Sequence, residues 1–198
     1  MNISQVIAKA TKDVEIIKDG NIFYLVLNQG ETDFTFDEQT CYKMMAALDE
    51  VEKSTGPAVL VTVSAAKKRF STGFNLDYWK KDKLNPLRSV ALGQKMLARF
   101  LTVNVPSLCV INGHCYAGGL ILALCHDFRT MHVNGGKLCL SEINVGMSLA
   151  PAYDALCKSL MGVQIYRDMV MGRAILPKEA FETRVISSMY TSEEDVMK

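Results

Sequence analysis

The stretch PSLCVINGHCYAGGLILAL, Pro106–Leu124, contains the signals for a strand, a turn and a helix in direct succession. Ser107–Ile111 has the composition of a buried strand, and the pair Asn112-Gly113 breaks it. The segment Leu120–Leu124 is apolar on every side, which predicts a buried rather than an amphipathic helix. A buried strand that leads into a buried helix is typical of an α/β fold.

The start of that helix is a candidate binding site for a negatively charged oxygen. The sequence Ala117-Gly118-Gly119 opens the helix, and a helix N-terminus presents unpaired backbone N–H groups and the positive end of the helix dipole. Two glycines allow a ligand to come close to that backbone. A phosphate, a carboxylate or a developing oxyanion would fit there. Alternatively, the glycines only allow the helix to pack tightly against a strand.

Strands and helices alternate along the rest of the chain, which predicts βαβ crossovers. Around Asp19-Gly20-Asn21 we expect a hairpin of Val14–Lys18 with Ile22–Leu27. Further extended segments are expected at Ala58–Val63, Phe128–Val133, Lys137–Leu140 and Val185–Ser188. Helices are expected at Phe36–Lys53, Asn85–Leu101, Ala152–Met161, Gln164–Met171 and Lys178–Thr183.

Two helix starts carry capping signals. Thr35 and Glu38 have the spacing of a capping box for the first long helix. Asn85 followed by Pro86 predicts an N-cap and a first-turn proline for the next one.

Length and composition predict one domain over residues 1–198, because 49% of the residues are hydrophobic and can form a sizeable core. A formal net charge of +1 gives no reason to expect nucleic acid, and no apolar run approaches the length of a membrane span. The six cysteines lack C-x-x-C spacing, so we expect free thiols in a reducing compartment rather than a disulfide framework. They are Cys41, Cys109, Cys115, Cys125, Cys139 and Cys157.

The histidines do not suggest a metal centre. His114, His126 and His132 have no metal-ligand spacing with the cysteines, so no metal is expected. His126 and Asp127 are adjacent and are not expected to form a catalytic dyad. Asp127 is instead expected to be a buried structural carboxylate.

The N-terminal segment Met1–Lys12 has two interpretations. It has lysines, no acidic residue and a weak amphipathic character, which would suit a short mitochondrial presequence. It lacks arginine, and an ordinary first segment of the fold is at least as good an interpretation. The residues Asp195–Lys198 do not form a peroxisomal address of the S-K-L type.

A second candidate site segment is Phe70–Leu76, FSTGFNL, which follows the predicted strand Ala58–Val63. Ligands of α/β sheets bind at the carboxyl ends of the strands. A backbone N–H just after Gly73 would therefore face the same cleft as the N–H of Gly118, and two such donors would form an oxyanion hole.

A third candidate segment is Ser141–Gly146, SEINVG, where Glu142 is a lone carboxylate among largely apolar residues. If Glu142 is partly buried, its pKa rises, which suits a general base. Taken alone, such a glutamate is more often a solvated surface residue.

The three segments together, in this order, resemble the crotonase (enoyl-CoA hydratase/isomerase) superfamily. KKRFSTGFNLDYW is similar to the K-x-F-S-x-G-x-D-L segment of that family, with Asn75 in place of the usual Asp. VINGHCYAGGLILALCHDFRTM is similar to its N-G-x-x-x-G-G segment and the following helix and strand. KLCLSEINVGM is similar to its P-E-x-x-x-G segment, with Ser141 in place of Pro. Within the superfamily, these segments most resemble the plant-type delta(3),delta(2)-enoyl-CoA isomerases.

The resemblance implies a crotonase-like ββα spiral core and an acyl-CoA thioester as substrate, so that coenzyme A enters with the substrate and no separate cofactor is needed. It implies that the N–H groups of Phe74 and Gly118 hold the thioester oxygen and that Glu142 is the catalytic carboxylate. It also implies that the backbone around Thr72, Phe74, Asn75 and Leu76 contacts the adenine end of coenzyme A, and Gly73 and Gly119 are expected to be coenzyme A-binding residues as well.

Hydratases of the superfamily carry a second catalytic glutamate two positions after the second glycine, which is Ile121 here. One carboxylate can move a proton from one carbon to another but cannot easily act in the two-glutamate manner of hydration. The expected activity is therefore the shift of a 3-enoyl-CoA double bond to the 2-position, as in the β-oxidation of unsaturated fatty acids. Hydration and thioester hydrolysis remain as other crotonase reactions.

The resemblance also bears on assembly and compartment. The chain stops soon after Tyr190, where members of the superfamily continue for several dozen residues as helices. A homotrimer is expected, or a place in a larger assembly, and the alternative function is a non-catalytic crotonase-fold structural subunit. Fatty-acid breakdown and the absent S-K-L address favour the mitochondrion over the peroxisome and the cytosol.

Overall fold

A six-stranded sheet forms the centre of the fold in the computed structural model, which describes residues 1–30 and 32–196. In chain order, the strands are β1 Val14–Asp19, β2 Ile22–Leu27, β3 Thr35–Phe36, β4 Val59–Ser64, β5 Arg69–Ser71, β6 Gly73–Phe74, β7 Ser107–Ile111, β8 His114–Tyr116, β9 Phe128–His132, β10 Leu138–Cys139 and β11 Ser188–Tyr190. The helices are α1 Ile3–Lys9, α2 Glu38–Glu52, α3 Leu76–Trp79, α4 Asn85–Leu101, α5 Gly118–Leu124, α6 Pro151–Leu160, α7 Val163–Val170, α8 Pro177–Glu182 and α9 Glu193–Val196, and a short 3₁₀ helix covers Glu142–Val145.

The large sheet has the order β1-β2-β4-β7-β9-β11. β1 and β2 are antiparallel and form the predicted hairpin, in which Gly20 adopts a positive φ of 59°. All later neighbours in this sheet are parallel, beginning with Ile22 opposite Val59 in the β2–β4 pair. Parallel neighbours require crossover connections, so the predicted α/β arrangement is confirmed.

Two small sheets lie beside the large one. β10, β8 and β5 form a parallel three-stranded sheet in that order, and β3 pairs in parallel with β6. These strands have two or three residues each, and most of them are too short to show a periodic pattern in the sequence. β8, for example, lies between β7 and α5, where the sequence predicted only a turn.

The core lies on both faces of the large sheet. Along β2, alternate residues point to opposite sides, so that Phe23, Leu25 and Leu27 belong to one apolar cluster and Tyr24 and Val26 to the other. Every residue of α5 is buried, as its apolar sequence predicted, and Leu120–Leu124 belong to the first cluster. α1 packs on the second cluster.

α1 identifies the first segment as part of the fold, because Ile3 and Val6 are buried beside Tyr24 and Val26. The ordinary-segment interpretation of Met1–Lys12 therefore describes this structure. None of the helices described here is long and apolar enough to cross a membrane.

Both predicted caps need correction. The N-cap of α2 is Asp37, whose carboxylate accepts a hydrogen bond from Thr40 N at 2.8 Å, because Thr35 is held in β3 by its pairing with Gly73. α4 begins at Asn85 itself, and the Asn85 side chain donates to Tyr78 O at 2.9 Å instead of capping the helix. The last predicted strand is also displaced, from Val185–Ser188 to Ser188–Tyr190.

All six cysteines are buried free thiols, as predicted. Asp127 is structural, because its carboxylate accepts hydrogen bonds from the backbone N–H of Ser107 at 2.8 Å and from its hydroxyl at 2.9 Å, but the residue is exposed rather than buried. His126 is buried between the Thr62 hydroxyl at 2.7 Å and Leu122 O at 2.9 Å.

Candidate active site

The junction between β8 and α5 has a strained backbone. Ala117, the residue before the helix, has φ 49° and ψ −128°, a conformation that glycine adopts far more easily than alanine. In the first turn of α5, Leu120 N donates to Ala117 O at 3.0 Å. The amides of Gly118 and Gly119 precede it, in the turn whose N–H groups have no partner within the helix.

Gly73 and Gly118 bring the two predicted loops into direct backbone contact. Gly73 has φ 81°, and a methyl group added to it would lie 2.5 Å from Gly118 N and 2.9 Å from Gly118 Cα. A methyl group on Gly119 would lie 2.6 Å from Ser71 O. The glycines thus allow the close packing of the two loops, and the use of their backbone N–H groups as donors to a ligand stays a prediction.

The loop that contains Gly73 is held by hydrogen bonds to the backbone of Phe34 and Phe36 and by the Ser71 hydroxyl. Thr72 N donates to Phe34 O at 3.2 Å, and Asn75 N donates to Phe36 O at 2.8 Å. The buried Ser71 hydroxyl donates to Phe34 O at 2.9 Å and accepts from Gly73 N at 3.1 Å. These bonds fix where the backbone of Phe74 can lie.

Glu142 begins the short 3₁₀ helix Glu142–Val145, which is followed by Gly146 with a positive φ of 71°. The residue is half-buried, and burial raises the pKa of its carboxyl above the ordinary value of 4.5. Its Oε2 atom is buried and has no hydrogen-bond partner among the residues described. A carboxylate in that state is a strong proton acceptor.

One cavity of about 80 Å³ collects the predicted site residues. Its wall contains a single charged side chain, that of Glu142, within the described part of the chain. The other lining residues are Thr72, Phe74, Leu76, Trp79, Ala117, Gly118, Ser141, Val145 and Met147. We refer to it as the thioester cavity.

A second cavity of about 260 Å³ adjoins the first, and the two share Phe74, Glu142 and Met147. Its remaining wall is mostly apolar and consists of Val90, Ile121, Ser148, Leu149, Ala150 and Tyr153. Ile121 is only 1% exposed. Ile121 stands where hydratases of the superfamily carry their second catalytic glutamate, so that position is an apolar part of the wall in this chain. Among the described residues, Glu142 is the one carboxylate that lines this cavity.

The structure brings together five of the eight predicted site residues: Thr72, Phe74, Leu76, Gly118 and Glu142 all line the thioester cavity. Gly73 and Gly119 lie behind its wall, where they allow the two loops to touch. The side chain of Asn75 caps α3 by accepting from Tyr78 N at 2.9 Å. None of the described residues forms a cluster of three or more His, Cys, Asp or Glu side chains that could hold a metal ion.

Three further lining residues lie within the quoted segments but were given no site role from the sequence: Trp79, Ala117 and Met147. The strain at Ala117 cannot be read from its identity, and Met147 resembles ordinary core filling. The available signal for Trp79 was Asn75, a residue type that favours a helix N-cap, because the short helix after it carries Trp79 as its last residue.

Comparisons with known proteins identify the family of the chain. The model of the enoyl-CoA hydratase/isomerase family matches residues 18–198. "Enoyl-CoA delta isomerase 2, peroxisomal" from Arabidopsis thaliana is 32% identical over 190 residues, which is 91% of this chain and 78% of the relative. "Enoyl-CoA delta isomerase 3" from the same plant is 29% identical, over 86% of this chain and 74% of the relative.

Solved structures share the fold. An enoyl-CoA hydratase from Bacillus anthracis superposes with a TM-score of 0.87 at 18% identity, over 94% of this chain and 74% of that one. A hydratase from Geobacillus kaustophilus gives a TM-score of 0.85 at 21% identity, over 96% and 72%. The chain has the crotonase fold, and it belongs to the enoyl-CoA hydratase/isomerase family.

Proposed function

We propose that the chain is an enoyl-CoA isomerase that converts a 3-enoyl-CoA into the conjugated 2-enoyl-CoA. The observation that carries the proposal is that Glu142 is the one carboxylate among the described residues that line the two cavities. Glu142 is half-buried, its Oε2 atom has no partner among those residues, and apolar Ile121 lines the second cavity in place of a second acid. The names of the plant relatives support the same reaction class.

In the proposed mechanism, the thioester oxygen accepts hydrogen bonds from the backbone N–H groups of Phe74 and Gly118. Glu142 removes a proton from C2, and the electron pair of the broken C–H bond moves toward that oxygen to form a dienolate. Glu142 then returns the proton to C4, the double bond moves from C3 to C2, and the carboxylate is regenerated. Loss of one oxyanion donor typically raises such a barrier by about 3 kcal/mol.

The surroundings of Glu142 suit this cycle. Burial raises its pKa, which makes the carboxylate a better base toward a weakly acidic C–H group. Phe74, Met147 and Ile121 keep the neighbouring wall apolar, which strengthens the hydrogen bonds to the oxyanion. Hydration is disfavoured in this proposal, because no second carboxylate among the described lining residues can activate a water.

The compartment and the assembly belong to the same proposal. One relative's name includes the word peroxisomal, as does that of "Enoyl-CoA delta isomerase 1, peroxisomal", which is 29% identical over 61% of this chain. These names favour a peroxisomal compartment over the mitochondrial one that the sequence alone suggested. A homotrimer, or a place in a larger assembly, stays a prediction.

The test is an isomerase assay on the wild type and on Glu142→Gln, following the ultraviolet absorbance of the conjugated product. Glutamine keeps the shape but cannot take the proton, so we expect kcat to fall by at least about 100-fold. The control is Glu50→Gln, which neutralises an exposed glutamate on α2 and should keep wild-type turnover.

Mass analysis of the product separates the reaction types, because hydration adds one water and isomerisation adds nothing. A folded wild type that binds acyl-CoA without turnover would favour the non-catalytic subunit. Equal turnover in Glu142→Gln and the wild type would exclude the proposed base.

A further inference from the structure

Two residues that line the same cavity each have a buried polar atom without a partner among the described residues. Within the described residues, four buried side-chain nitrogen or oxygen atoms lack a hydrogen-bond partner: Trp79 Nε1, Ser89 Oγ, Asn112 Oδ1 and Glu142 Oε2. Trp79 and Glu142 both line the thioester cavity. Because a buried polar group without a partner costs free energy, such a pair in one cavity indicates a ligand that supplies the missing partners.

The position of Trp79 is well defined by its neighbours. It ends α3, whose start is capped by the Asn75 side chain, and Trp79 N donates to Asn75 O at 3.2 Å. The indole ring packs on the Phe74 ring, with centroids 5.4 Å apart and an angle of 31° between the planes. The Trp79 N–H is therefore held in place beside the loop that carries the proposed oxyanion donor.

The cavity that Trp79 lines shows which part of the substrate it would meet. Trp79 lines the thioester cavity together with Thr72 and Leu76, where the coenzyme A contacts are predicted. The second, mostly apolar cavity on the other side of Glu142 is lined by other residues and suits the hydrocarbon chain. In the proposed function, this arrangement would place Trp79 on the coenzyme A side of the reacting carbons.

We propose that the Trp79 indole N–H binds the substrate by donating a hydrogen bond to an amide carbonyl oxygen in the pantetheine arm of coenzyme A. The proposal rests on the proposed function, which supplies acyl-CoA as the ligand. The thioester oxygen already has two donors in the Phe74 and Gly118 amides, whereas an amide oxygen of the arm has none assigned. An uncharged acceptor suits this donor, because Glu142 supplies the only charge on the described wall.

The first test uses the fact that Trp79 is the only tryptophan of the chain. A ¹⁵N–¹H spectrum of the full chain therefore contains one indole N–H signal. Titration with hexanoyl-CoA, which has no reactive double bond, should move that signal downfield and slow its exchange with solvent. A signal that stays in place while backbone signals of the two loops shift would overturn the proposal, and so would the absence of any binding.

The second test uses Trp79→Phe, which removes the N–H and keeps an aromatic ring against Phe74. Its KM for a 3-enoyl-CoA should rise by about 5-fold with little change in kcat, the size expected for one neutral hydrogen bond. The matched control is Tyr78→Phe, which removes the bond from the neighbouring hydroxyl to Glu38 at 3.0 Å.

Shortened substrates identify the acceptor. A 3-enoyl thioester of N-acetylcysteamine keeps the first amide of the arm, whereas the S-ethyl thioester has no amide. If the acceptor is the first amide, the rise in KM caused by Trp79→Phe should persist with both the N-acetylcysteamine and the full coenzyme A thioesters. If it is the second amide, the rise should persist only with the full coenzyme A thioester. In both cases it should vanish with the S-ethyl thioester. An equal penalty on all three would place the bond at the thioester and overturn the proposal. If the wild type does not isomerise a 3-enoyl-CoA but hexanoyl-CoA still moves its indole N–H signal, the result would contradict the proposed function but not the role of Trp79.

Discussion

Replacement of Gly73 by alanine tests the contact between the two loops. Gly73 has φ 81°, and the added methyl group would lie 2.5 Å from Gly118 N, 2.9 Å from Gly118 Cα and 3.2 Å from Gly119 N. All three atoms belong to backbone, so no side-chain rotation can relieve the overlap. The loops would have to separate, and this would displace the amides of Phe74 and Gly118 from each other.

Gly73→Ala should have two effects, a loss of folding free energy and a loss of kcat. An alanine with positive φ costs about 1 kcal/mol of folding free energy wherever it stands. Relief of the 2.5 Å contact requires a movement of about 1 Å, and a misplacement of that size can lower a rate by about 100-fold. A 100-fold loss in kcat corresponds to about 2.7 kcal/mol of transition-state free energy.

Gly20→Ala is the matched control, because Gly20 has φ 59° and nothing within 4 Å of its added methyl group. Urea unfolding of both variants should show the shared conformational cost, and the isomerase assay should show the rate loss only in Gly73→Ala. A folded Gly73→Ala variant with kcat within about 3-fold of the wild type would refute the reasoning, because the contact would then lie outside the reacting geometry.

Three further predictions concern stability, each measured by urea unfolding. Glu142→Gln should be more stable than the wild type at neutral pH, because burial raises the pKa of Glu142 and disfavours its charged form in the folded state. The difference in stability should shrink as the pH falls through that raised pKa, because the wild-type carboxyl then becomes neutral. A variant less stable than the wild type at neutral pH would contradict this prediction. Burial lowers the pKa of His126 to about 4, so the wild type should lose about 3 kcal/mol of stability between pH 6.5 and pH 4 relative to His126→Gln; parallel pH curves would disprove it. Ala117→Gly should raise the free energy of unfolding by about 1 kcal/mol, because glycine adopts φ 49° and ψ −128° without strain; a loss of stability would show that Ala117 is not strained.

The long elements of the fold could be predicted from the sequence because their signals are local. The hairpin around Gly20 and the buried helix Gly118–Leu124 depend on turn chemistry and continuous apolarity, and both agree with the structure. The two- and three-residue strands could not be predicted, since only their pairing defines them. Thr35 shows the consequence: its pairing with Gly73 prevents it from capping α2.

The candidate site divides in the same way. Gly118 and Glu142 could be proposed from residue type and motif, because glycine at a helix start and a carboxylate among apolar residues have chemical meaning on their own. Residue type alone could not place them at one cavity, which the resemblance implied and which depends on how the loops at residues 72–76 and 141–147 meet. The same holds for the indole of Trp79, whose missing partner becomes visible only in three dimensions.

The most direct measurement of the central claim follows the transferred proton itself. A 3-enoyl-CoA that carries deuterium at C2 is incubated with the wild type and with Glu142→Gln, and the position of the label in the product is determined by NMR. We expect the wild type to deliver part of the label to C4, because one half-buried carboxylate removes and returns it, and we expect almost no product from the variant. Equal turnover by the variant, or wild-type product with no label at C4, would contradict proton transfer by Glu142 alone.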